Sequence, residues 1–191
     1  MTSMRRRRVL RVLSGLTSGP MMALQTSATS TAERPPEIAA ELPQARRQSR
    51  ATLLADGQPV YEVVLWAVGP PVDPGQWSSR PLALELRYAR AQSGAALAGR
   101  AIEAMRRQAP MTYGQMERWQ QAMAQLFPDL RAGDRLTGLQ LPGEAARFYF
   151  NGRLRGEIRD PLYTQLFFGL WLSGQTPEPA LRAQLFDQPA R

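Results

Sequence analysis

Four residues of this chain have the type and setting to do ligand chemistry: Arg50, Tyr61, Tyr88 and Arg153. A guanidinium beside an apolar wall pairs bidentately with a carboxylate. A tyrosine on a strand supplies a hydroxyl that donates or accepts near a ligand head. Tyr61 and Tyr88 also read as core tyrosines whose hydroxyls find a protein partner. Arg153 and Arg155 flank Leu154. One face of that strand is therefore basic, which fits a cleft mouth or plain solvent.

The missing residue types narrow the chemistry further. The 191 residues contain no cysteine and no histidine, and all 24 basic residues are arginine. Thiol nucleophiles, Ser-His and Cys-His pairs and Cys/His zinc sites are excluded. Lysine-based Schiff bases and the phosphate-loop lysine are excluded too. No metal and no cofactor are expected. Glu157 and Asp160 do not make an acid–base pair, because Asp160 reads as a helix cap. Asp134 and Arg135 in GDRL read as fixing a turn.

The net charge of +8 suggests nucleic acid, but its distribution does not. Arg5, Arg6, Arg7, Arg8 and Arg11 carry five charges, and no acid precedes Glu33. The rest holds 19 arginines against 16 acids, with the signs mixed. A duplex-binding face needs a concentrated stripe, so no nucleic-acid partner is expected.

Residues 1–30 have a basic start, a moderately apolar stretch from Val12 to Leu24, and small residues at Thr26, Ser27 and Ala28. That is the layout of an export signal. Arg6 to Arg11 also resembles the twin-arginine consensus. The expectation is a periplasmic or secreted protein. A solvated basic tail, or a start at Met21 or Met22, remains open. Val12–Leu24 is too short and too polar for a span of about 20 residues, so no transmembrane segment is expected. Residues 31–45 read as a linker, either a tether or a short helix.

The domain is expected over residues 46–188. ATLLADGQPVYEVVLWAVG holds two apolar runs around Asp56-Gly57, a type I′ hairpin signal. Leu82–Arg90 alternates as a strand. Ser93 caps a helix bearing Leu97, Ala101, Ile102 and Met105 on one stripe. Thr112 and Gln115 form a capping box for a second helix, which ends at Pro128. Its Trp119 falls at core spacing. Strands follow at Arg135–Leu141, Ala145–Phe150 and Arg153–Ile158, the last two joined by Asn151-Gly152. Asp160-Pro161 opens a helix that stops near Gly174, and Thr176-Pro177 opens a short last one. Strands, two helices, strands, two helices predict an α+β domain: an antiparallel sheet with helices layered on one face.

LFPDLRAGDRLTG (126–138), FYFNGRLRGEIRDPLY (148–163) and FFGLWLSGQTPEPALR (167–182), in that order, resemble the bacterial chalcone isomerase-like domain. The similarity extends upstream through PLALELRYAR (81–90) and covers about residues 45 to 187. It implies an open-faced β-sandwich, a large antiparallel sheet wrapped by helices, with an apolar cleft between them. Plant members close a chalcone ring to a flavanone, and plastid relatives bind fatty acids through an arginine and a tyrosine. The resemblance places the plant enzymes' active-site tyrosine at Leu97 and their asparagine near Ala104. Their active-site lysine has no counterpart. The strand arginine corresponds to Arg50, with Arg46 or Arg47 as alternatives. The sequence therefore predicts an exported, non-catalytic binder of a small amphipathic anion such as a fatty acid. An intramolecular lyase of chalcone isomerase type and an envelope protein-interaction module are the alternatives.

Overall fold

The computed structural model describes residues 34–187. The expected leader, residues 1–30, lies outside the described residues. Six strands form one antiparallel sheet in the order β1-β2-β3-β4-β5-β6. They are β1 (Arg46–Ala55), β2 (Gln58–Ala67), β3 (Leu82–Tyr88), β4 (Arg135–Leu141), β5 (Ala145–Phe150) and β6 (Arg153–Ile158). The tight links β1–β2 and β5–β6 are the two expected hairpins. Asp56 and Gly57 have φ of 54° and 72°, and Asn151 and Gly152 have 48° and 83°. Positive φ at both central positions is what a type I′ turn demands.

Five helices complete the fold: α1 (Pro36–Glu41), α2 (Gly94–Arg106), α3 (Tyr113–Leu126), α4 (Pro161–Leu172) and α5 (Pro179–Phe186). The Ser93 hydroxyl accepts from the Ala96 amide to start α2. Thr112 and Gln115 close the reciprocal box that starts α3. The Asp160 carboxylate accepts from the Leu162 and Tyr163 amides and starts α4. α2 and α3 are joined closely, since Gly94 sits against the end of α3. A Cβ there would lie 2.1 Å from the Phe127 carbonyl oxygen.

Helix α4 is the centre of the helical layer. Nine of its twelve residues are buried, so it is apolar on every side rather than amphipathic. FFGLW is thus a core element. The Thr176 hydroxyl donates to the Leu170 carbonyl at 2.6 Å, and Arg182 Nε donates to the Leu172 carbonyl at 2.9 Å. These two side chains satisfy carbonyls that the end of α4 leaves open. Thr176 Oγ1 also accepts from the Glu178 amide at 3.1 Å, and α5 starts at Pro179 instead of at Thr176-Pro177.

The sheet is covered on both faces, where helices on one face were expected. One face packs the α2–α5 layer through Val63, Leu65, Leu84, Phe148, Phe168 and their neighbours. Ile38 and Leu42 of α1 pack on the other face against Val64, Trp66, Ala83 and Leu139. Part of the expected linker is therefore a helix docked on the sheet. Its acids finish the job. Glu37 accepts from Arg135 Nη2 at 3.1 Å and from the Thr137 hydroxyl at 2.7 Å. Glu41 accepts from Arg147 Nη1 at 2.8 Å and from the Tyr149 hydroxyl. Carboxylates taken from water need such partners. No helix among the described residues is long and apolar enough to cross a membrane.

Candidate functional site

A cavity of about 530 Å³ opens between the sheet and the helical layer. Its floor is Leu53 of β1, Val60 and Tyr61 of β2, Leu84, Leu86 and Tyr88 of β3, and Leu136 and Gly138 of β4. Leu97, Ala101 and Ala104 of α2 and Phe167, Leu170 and Trp171 of α4 supply the walls. Apolar side chains dominate because strand alternation and one helix stripe converge here. Gly138 keeps the floor low, since a Cβ there would touch Phe168 at 3.4 Å.

The polar groups are few and convergent. Tyr61 and Tyr88 are cross-strand partners with ring centroids 5.6 Å apart. Trp171 Nε1 donates to the Tyr61 hydroxyl at 3.0 Å. Indole is a donor only, so the Tyr61 proton remains to be donated elsewhere. Among the described residues, none hydrogen-bonds the Tyr88 hydroxyl, which is also absent from the fully buried atoms without a partner. It therefore keeps some access to the cavity. Burial pushes Tyr61 up to about 12, opposed by the Trp171 bond and helped by Glu178. Burial pushes Tyr88 up as well, Tyr61 adds to the rise, and Arg100 opposes it. Both phenols stay protonated and act as neutral donors near neutral pH.

The rim carries the charge. Arg100, Glu103 and Arg107 of α2, Gln92 before α2, and Glu178 before α5 line it. Gln92 Oε1 accepts from Arg100 Nη2 at 2.7 Å and steadies that guanidinium.

Of the four residues singled out in the sequence, the structure brings Tyr61 and Tyr88 together and leaves the two arginines elsewhere. Arg50 is opposite Val64 in the β1–β2 ladder, on the α1 face of the sheet. Its guanidinium is 3.9 Å from the Glu62 carboxylate and does not line the cavity. The cause is a bulge. A simple two-residue hairpin at Asp56-Gly57 would set Leu53 opposite Val60 and Arg50 opposite Val63, on the cavity face. Instead Leu54 pairs with Pro59 and Leu53 with Tyr61, so Val60 is an extra residue. The extra residue in β2 offsets the pairing by one from Leu53 back to Ser49, until a second shift between Ser49 and Arg47, so Arg50 falls on the face away from the cavity. Arg153 is exposed beside Phe150, Asn151 and Leu154, in a surface depression apart from the cavity. Arg155 Nε and Nη2 donate to the Leu126 and Gln125 carbonyls at 3.2 and 3.3 Å, capping the end of α3.

Sequence reasoning passed over Arg100, Gln92, Arg107 and Glu178. The signal for the arginines was available: Leu97, Arg100, Ala104 and Arg107 follow one another at helical spacing on the edge of the α2 stripe. Trp119 is a core residue, as expected. It donates to Asp160 Oδ2 at 3.0 Å, so the α4 cap also ties α3 to α4. Asp134 fixes its turn through the Arg131 amide at 2.7 Å and the Asn151 side chain at 2.9 Å. Arg135 has a second role, joining Glu37 to Glu85 on the α1 face.

Residues 60–187 match the family model described as chalcone isomerase-like. The chain belongs to the chalcone isomerase-like family. No curated protein matches it. A crystal structure of a fatty-acid binding protein from Arabidopsis thaliana is similar, with a TM-score of 0.56 at 9% identity. The match covers 75% of this chain and 87% of that one. At this identity the likeness establishes the chalcone isomerase-like fold alone. Leu97 and Ala104, which the resemblance aligns with the plant enzymes' tyrosine and asparagine, both line the cavity. Neither side chain carries a polar atom that could orient water or stabilise an enolate.

Proposed function

We propose that this protein is an exported, non-catalytic carrier of a single-chain amphipathic anion, a fatty acid or a close relative. The observation that carries this reading is the apolar cavity of about 530 Å³ with Tyr61, Tyr88 and Arg100 at its polar end. Its size is in the range of ligand pockets. A cleft of this size has room for an acyl chain. The head sits at Arg100, where a guanidinium pairs with an oxyanion, and the Tyr88 hydroxyl donates alongside. Arg100 of α2 takes the part that the sequence assigned to Arg50. The fatty-acid binding of the Arabidopsis thaliana protein with this fold supports the same reading. Export rests on the layout of residues 1–30.

The test is to purify the full chain, extract it and identify bound lipid by mass spectrometry, then titrate it with saturated fatty acids. Each buried methylene contributes about 0.8 kcal/mol, or about fourfold in Kd. Affinity is expected to rise with chain length until the cavity is full. Absence of bound lipid together with no measurable affinity for any chain length would overturn the proposal. N-terminal sequencing of the protein recovered from outside the cytoplasm tests export. Confinement to the cytoplasm would contradict it, whereas an intact residue 1 in the exported fraction would contradict only cleavage of the leader.

A further inference from the structure

The charges around the cavity mouth oppose one another. Arg100 and Arg107, seven residues apart on α2, stand two turns apart on one face and both line the rim. Glu178, between α4 and α5, lines the same rim. Glu103, between the two arginines on that face, is also there and pairs with Arg106 at 3.3 Å on the exposed side of the helix. The Glu178 carboxylate has no cationic partner among the described residues. It acts on Tyr61, whereas Arg100 acts on Tyr88, so the two signs address two neighbouring hydroxyls of one ligand site.

A plain carboxylate head gains from Arg100 and Arg107 but loses to Glu178. A carboxylate that repels the wrong head group is a specificity element in its own right. The head that satisfies all three side chains has an anion for the arginines and a cation, or a strong donor, for the glutamate. Resting on the reading of the cavity as an acyl-chain site, we infer that the preferred ligand is a single-chain amphiphile with a zwitterionic head. Its phosphate or carboxylate pairs with Arg100 and Arg107, and its ammonium pairs with Glu178. Glu178 is then a specificity-determining residue for the head, while the apolar walls read only the tail.

The probes are 1-palmitoyl-lysophosphatidylethanolamine and palmitate, each titrated below its micelle concentration into the full chain and its Glu178→Gln variant. A circular dichroism melt of the variant shows that its fold is retained. The lysolipid is expected to bind the parent chain about tenfold more tightly than palmitate. Partly exposed charge contacts contribute up to about 1 kcal/mol, so Glu178→Gln should weaken the lysolipid about threefold to fivefold and strengthen palmitate. Equal or tighter binding of palmitate by the parent chain would overturn the inference while leaving the acyl-chain reading in place. So would a Glu178→Gln variant that shifts both ligands in the same direction. Failure of both probes to bind would overturn the acyl-chain reading itself.

Discussion

Trp171 Nε1 lies 3.0 Å from the Tyr61 hydroxyl, joining the end of α4 to the second strand across 110 residues of sequence. The bond does two things. It satisfies a buried indole, and it leaves the Tyr61 proton to be donated elsewhere. Replacing Trp171 by Phe removes the donor and part of the wall. Loss of a buried hydrogen bond and some packing should cost about 1–3 kcal/mol. Urea denaturation measures it, and an unchanged midpoint would show that the bond contributes nothing.

Tyr61 and Tyr88 contribute to an alkaline limit, as do Tyr149 and Tyr163, which burial also raises. Tyr61 is held at about 12 and Tyr88 is also raised, chiefly by burial. In the unfolded chain both titrate near 10. Because the folded values are higher, this stability is complete below about pH 10 and is lost as pH rises through the folded values. Thermal melts across pH 9 to 12 should fall steeply above pH 10, and Tyr61→Phe should flatten that fall. A curve that stays level to pH 12 would contradict the burial of these hydroxyls.

Substitution of Tyr163 acts the other way from that of Trp171. It is fully buried among Trp119, Phe148 and Phe167, and its hydroxyl has no partner among the described residues. An unsatisfied buried hydroxyl is destabilising. Tyr163→Phe keeps the rings packed and should stabilise the protein by about 1 kcal/mol, read as a higher urea midpoint. A lower midpoint would mean that the hydroxyl is bonded after all.

Much of this architecture was legible before any coordinates, and the exceptions have physical causes. Strands β4, β5 and β6 fall on their expected residues because Asn151-Gly152 permits one tight turn and period-two patterns flank it. The α2, α3 and α4 caps are local, so Ser93, Thr112 and Asp160 declared them. The last helix starts at Pro179, after a turn in which the Thr176 hydroxyl donates to the Leu170 carbonyl and accepts from the Glu178 amide. Glu37 and Glu41 looked like linker composition. Only the sheet's outer face, with Arg135 and Arg147 on it, reveals them as anchors of α1. The family resemblance assigns Arg50 to the ligand, and the pairing shift at Val60 sets it opposite Val64 on the other face of the sheet. A bulge leaves little trace in a single sequence, because its cost is met by contacts elsewhere in the sheet.

Filling the cavity tests its role without touching a polar group. Ala104 is half-buried on the cavity wall. Ala104→Trp should project into space that is otherwise available to ligand, and lower palmitate affinity more than tenfold. The melting temperature should move by only a few degrees, since the added ring enters a void instead of a packed core. Unchanged affinity would place the acyl chain somewhere else.

The most direct measurement is calorimetric titration of palmitate into the full chain and into its Arg100→Ala and Arg50→Ala variants. The parent chain should bind one palmitate. Arg100→Ala should weaken binding about threefold to fivefold, the scale of losing a partly exposed charge contact of up to about 1 kcal/mol. Arg50→Ala, altered on the far face of the sheet, should bind like the parent. Unimpaired binding by Arg100→Ala together with loss in Arg50→Ala would contradict the account, as would a parent chain that binds no palmitate.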